Sequence, residues 1–115
     1  MTDRNPAHLA DMLQFVQELR SFVHGVPLDA FVQNRVLCLA TEKLFINLGE
    51  AASRMAPQAT MAMPDIPWRQ IVGLRNVLAH GYEAVAHEVL FKTANDDLPG
   101  LEKALLAALD AYDLP

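Results

Sequence analysis

The 115 residues, 52% hydrophobic and 20% charged, suffice to bury about 65% of the surface that the unfolded chain exposes, which excludes disorder and any need for disulfide or metal staples. A formal net charge of −5 excludes a broad basic face for polyanions, though not a small local site. The N-terminal MTDRNPAHLADML carries no secretory h-region and no stretch approaches the apolar length of a membrane span, so a soluble, cytoplasmic protein without membrane contact is expected.

In chain order, Asn5 followed by Pro6 reads as a cap and first helical position, and Leu9, Met12, Leu13, Val16, Leu19 and Val23 recur at helical spacing until Gly25. Gly25 and Pro27 break that helix, and PLDAF starts a short helical turn. From Asn34 to Met55, Leu37, Ala40, Thr41, Leu44, Leu48, Ala51, Ala52 and Met55 follow steps of three and four with no proline between them. Ala51 and Ala52 beside Gly49 predict a close approach by a neighbouring helix there. The single cysteine, Cys38, lies in the apolar run RVLCLA and reads as a small buried hydrophobe.

Residues 56 to 67, APQATMAMPDIP, contain three prolines and no periodicity, and predict a loop. Pro67 opens a further helix whose apolar side is Trp68, Ile71, Val72, Leu74, Val77 and Leu78, with Gly81 placed to end it in the left-handed conformation. HEVLFKTAN and DDLPGLEKALLAALDAY are helical, and Pro99 either starts a separate last helix or kinks one continuous helix. With no period-two run and no repeat, the chain predicts one all-α domain over 1–115, a largely up-and-down bundle of four to five helices.

The polar chemistry gathers in GLRNVLAHGY, residues 73 to 82. Five residues separate Arg75 from His80, roughly 140° around a helix, so the two converge only if the helix loosens at His80 or if two copies of it pair around a twofold. Asn76 and His80 are four apart and share a face, so the amide is placed to orient the imidazole. An imidazole that moves a proton beside a guanidinium that takes charge growing on phosphate suits metal-free phosphodiester chemistry, and RNA brings its own 2′-hydroxyl nucleophile. By spacing alone the same pair also reads as a helix cap, a dipole partner or a surface pair. Tyr82 alone reads as a half-buried aromatic that fixes the turn. Glu50, one turn before Arg54, reads as a surface pair with it or as support for an arginine near the site. His80, Glu83 and His87 have a three-and-four spacing that Gly81 interrupts, so neither metal nor cofactor is expected.

Taken together, IPWRQIVGLRNVLAHGY, the upstream NLGEAASRM and the downstream NDDLPGLEKAL resemble the HepT-like ribonuclease family of the HEPN superfamily, in order and approximate spacing, over most of the chain. The resemblance implies a helical bundle that dimerises through the motif helices, with R-x-x-x-x-H-x-Y motifs of both copies lining a shared cleft. It implies Arg75 as phosphate ligand, His80 as catalytic histidine, Asn76 as the polar residue after the arginine, and metal-independent cleavage of RNA. It also implies that the chain is the toxin of a toxin–antitoxin pair, with a minimal nucleotidyltransferase antitoxin that silences it by adding AMP to Tyr82 and joins it in a higher hetero-oligomer. The alternative is a non-catalytic helical module that complexes with and assists such a nucleotidyltransferase.

Overall fold

Five buried side chains in steps of three and four, Leu9, Met12, Val16, Leu19 and Val23, draw α1 (Asn5–Val23) into the centre of the computed structural model, which describes residues 3–81 and 85–113. Each such side chain contributes about 1.5–3 kcal/mol on leaving water. The remaining elements are α2 (Leu28–Gln33), α3 (Arg35–Ser53), α4 (Pro57–Met61), α5 (Trp68–His80), α6 (His87–Asp96) and α7 (Leu98–Asp113), with no strand among the described residues. The architecture is all-α as expected. α3 packs between α1 and α5, α7 lies along α1, and α6 sits against α1, α2 and α7. α5 therefore stands at the edge of the bundle, held chiefly by α3.

The helix termini show why the chain divides where it does. Gly25, at φ 71°, occupies the left-handed region that only glycine adopts without strain, and it turns the chain out of α1. The Asn34 side chain accepts a hydrogen bond from the Leu37 amide at 3.0 Å, capping α3. Asn5 does not cap α1 as predicted: it is the first residue of the helix, and its Oδ1 accepts from the Ala56 amide at 3.0 Å, tying the start of α1 to the start of α4. Residues 56 to 67 are not all loop. Pro57 sits at the first position of α4, where its missing N–H costs nothing, and the short helix runs to Met61 with no buried residue.

α6 and α7 are separate helices. Asp97 lies between them, and Pro99 occupies the second position of α7, which resolves the alternative left open by the sequence. Along α3 the buried stripe is Cys38, Thr41, Phe45, Leu48 and Ala52, whereas Leu37 and Leu44, predicted to face the core, are half-buried. Cys38 is buried as predicted, donates its thiol to the Phe31 carbonyl at 3.2 Å, and is held above the ordinary thiol range by desolvation and, secondarily, by the charge of Glu42. The Phe31 and Phe91 rings meet at 5.1 Å with a tilt of 52° and join α2 to α6.

Candidate functional site

Helix α5 divides its residues between two faces. Ile71 and Leu78 are buried against the bundle, with Trp68, Val72 and Leu74 packed at the margin, while Arg69, Gly73, Asn76, Val77 and His80 are exposed. Val77, expected on the apolar inner side, is 43% exposed, because the i, i+4, i+7, i+11 line from Arg69 to His80 runs beside it along the solvent face. The Trp68 indole donates to the Met63 carbonyl at 3.1 Å, fixing the entry to the helix.

Arg75 projects from a different side, toward α3. Gly49 makes that possible: a Cβ at Gly49 would overlap Arg75 Cβ, lie 2.8 Å from its Cγ, and stand 3.1 Å from the Ile71 carbonyl. The predicted close helix approach at Gly49, Ala51 and Ala52 is thus the crossing of α3 and α5, and the residue it seats is the arginine. The guanidinium is half-buried. Its Nη1 donates to Asn76 Oδ1 at 3.0 Å, and its Nη2 lies 3.8 Å from Glu50 Oε1.

Glu50 is the residue whose role the sequence understated. Glu50 on α3 and Arg54 at its C-cap have the i, i+4 spacing of the helix pairing rule, yet the ion pair in the structure is with Arg75 on α5. The signal was present in the sequence as Gly49 directly before Glu50: a glycine at a helix crossing brings its neighbour within reach of the facing side chains.

His80 ends α5. The Gly81 amide still donates to the Val77 carbonyl at 2.7 Å, so the helix holds its register through His80, and Gly81 leaves it at φ −153° and ψ 60°, not in the left-handed conformation predicted. Of the two ways for Arg75 and His80 to converge, loosening of the helix is not the one this copy adopts. One copy brings Arg75 together with Asn76 and Glu50, and leaves His80 exposed on the outer face with Asn76 and Val77. Asn76 stands between the two groups: its oxygen is engaged by Arg75, and its backbone position shares the face of His80. Tyr82 and Glu83 lie outside the described residues. His87, the third member of the spacing considered for a metal, directs Nε2 toward Glu42 Oε2 at 3.5 Å, linking α6 to α3.

An all-helical bundle with an arginine seated at a helix crossing and a histidine at the end of the same helix defines the class to which the comparisons point. The chain belongs to the HepT-like ribonuclease family, whose model matches residues 12–108. It is similar to "Putative RNase MJ1380" of Methanocaldococcus jannaschii, 28% identical over 97 residues that cover 84% of this chain and 89% of that protein. It is also similar to "Putative RNase TTE0752" of Caldanaerobacter subterraneus, 29% identical with coverage of 84% and 86%, and to "Probable ribonuclease HepT" of Thermococcus cleftensis, 26% identical with coverage of 83% and 86%. No solved structure matches the chain.

Proposed function

We propose that the chain is an endoribonuclease that works as a homodimer, with the Arg75 and His80 of both copies lining one cleft and RNA as the substrate. The observation that carries this reading is the division of α5: its register holds through His80, so arginine and histidine face apart in one copy, and a second α5 across a twofold supplies what one lacks. The exposed Gly73 and Val77 support pairing through this face. A Cβ at Gly73 would meet nothing within 4 Å, so packing inside one copy gives no reason for a helix-weakening glycine, whereas close approach of a second helix does.

In this reading the imidazole of His80 takes the proton of the 2′-hydroxyl as its oxygen bonds to phosphorus. The bond from phosphorus to the 5′ oxygen breaks, and that oxygen leaves with a proton given up by the His80 imidazolium of the second copy, giving a 2′,3′-cyclic phosphate and a free 5′-hydroxyl. Arg75 takes the charge that grows on the non-bridging oxygens, and Asn76 holds the guanidinium on one side and steadies the imidazole face on the other. The roles of Arg75, Asn76 and His80 come from the family motif, and the 3.0 Å contact between Arg75 and Asn76 supports the coupling of those two.

The family resemblance extends the proposal to a toxin–antitoxin pair acting in the cytoplasm, silenced when a partner nucleotidyltransferase attaches AMP to Tyr82. A phosphate charge and a nucleoside two residues from His80 would repel and occlude the substrate phosphate. A single 2′-deoxy nucleotide at the mapped cleavage position of an RNA tests the chemistry. The proposal requires that it abolish cleavage there and that the normal product carry a cyclic phosphate end. Cleavage that persists at the 2′-deoxy position would overturn attack by the 2′-hydroxyl, and stable dimers that bind a nucleotidyltransferase and never cut RNA would favour the non-catalytic module.

A further inference from the structure

We infer that Glu50 is a positioning residue for Arg75, holding one edge of the guanidinium so that the other edge faces the phosphate; the inference rests on the ribonuclease reading of Arg75. Three observations meet at this point. Gly49 seats the stem of Arg75 directly on α3, which fixes where the guanidinium emerges. Glu50 follows in sequence, with Oε1 3.8 Å from Nη2, beyond hydrogen-bond reach but within ion-pair range. The Nε of Arg75 is shielded from solvent and has no acceptor among the described residues.

Nε and Nη2 lie on the same edge of the guanidinium, and that edge matches a carboxylate side-on with two parallel bonds. A shift of about 1 Å by the Glu50 carboxylate brings Nη2 within hydrogen-bond range, and side-on pairing of that edge would give the buried Nε the acceptor that such a donor demands. Asn76 already takes Nη1 from the other side. A guanidinium held at both flanks keeps its remaining Nη protons in one direction, and an arginine that aids catalysis needs that orientation before the substrate arrives.

The sign of the effect on kinetics separates positioning from simple attraction. A carboxylate beside a phosphate site repels substrate, so removing its charge leaves KM unchanged or lowers it, whereas a guanidinium free to wander stabilises the transition state less and lowers kcat. The test compares wild type, Glu50→Gln and Glu50→Asp in steady-state RNA cleavage, in thermal melting, and in nitrogen-15 spectra of the arginine Nε–H groups, with the Arg75 signal assigned from its absence in Arg75→Lys. The expected result is a fall in kcat of about tenfold or more in Glu50→Gln without a rise in KM, partial recovery in Glu50→Asp, unchanged melting, and an Arg75 Nε–H that exchanges slowly in wild type and fast in Glu50→Gln. Wild-type kcat in Glu50→Gln, or equally fast exchange in wild type and variant, overturns the inference, as does a loss of activity matched in both variants by an equal loss of stability. Should wild type cut no RNA, the ribonuclease reading fails, and the exchange measurement still decides whether Glu50 holds Arg75.

Discussion

Arg75 has contacts of three kinds on three sides: a glycine under its stem, an amide oxygen on Nη1 and a carboxylate near Nη2. The glycine is the least replaceable of the three, because what a side chain there would strike is the Arg75 stem itself and, behind it, backbone. Gly49→Ala is expected to destabilise the fold by about 1–3 kcal/mol, the usual cost of overpacking a tight contact, as read by urea denaturation. The variant should also lose cleavage beyond what the lost stability explains, because the stem that aims the guanidinium is displaced. An unchanged denaturation midpoint would mean that α3 and α5 separate freely at this crossing. By contrast, the exposed pair of Lys92 and Glu88, 3.0 Å apart on one turn of α6, is solvated on both sides and adds little to stability.

At the scale of elements, α3 alone among the helices whose N-caps are described starts on a side-chain cap. Asn34→Ala removes the acceptor for the Leu37 amide and is expected to cost about 1 kcal/mol, lowering the thermal midpoint with no effect on cleavage, since the cap lies at the opposite end of α3 from Glu50. A larger loss would show that the cap also sets the angle between α2 and α3. The long helices, the buried cysteine and the close approach at Gly49 were legible in the sequence because spacing and residue size determine them locally. The α4 turn was not legible, since Pro57–Met61 buries nothing and leaves no apolar period to read. Nor was the inward turn of Phe45 in place of Leu44, because adjacent apolar residues on α3 leave the stripe ambiguous by one position until α1 and α5 are packed on either side. Gly81 misled for a related reason: a glycine after a helix permits the left-handed cap without requiring it, and here the amide remains bonded to Val77.

At the scale of the whole molecule, the fold divides the motif residues between two faces. α5 stands at the bundle edge with one face on α3 and the other in solvent, so the inner face positions Arg75 and the outer face carries Asn76, Val77 and His80. The motif could be recognised from the sequence, but the orientation of its members could not, because 140° of rotation becomes meaningful only once the helix is known to run unbroken through His80. If a second copy completes the site, a charge in the middle of the exposed face should separate the copies without disturbing the core. Val77→Glu is expected to remain folded by circular dichroism, to elute as a monomer in light-scattering chromatography and to lose RNA cleavage. A Val77→Glu protein that stays dimeric and active would place the pairing surface elsewhere.

The most direct measurement of the central claim is RNA cleavage by the purified protein in EDTA, wild type against a folded, dimeric His80→Ala variant. General acid–base catalysis by His80 predicts a loss of about 10²–10⁴-fold in the variant, with the wild-type rate indifferent to the chelator. Equal cleavage by both proteins, or cleavage that EDTA abolishes, would contradict a metal-free ribonuclease built on the end of α5.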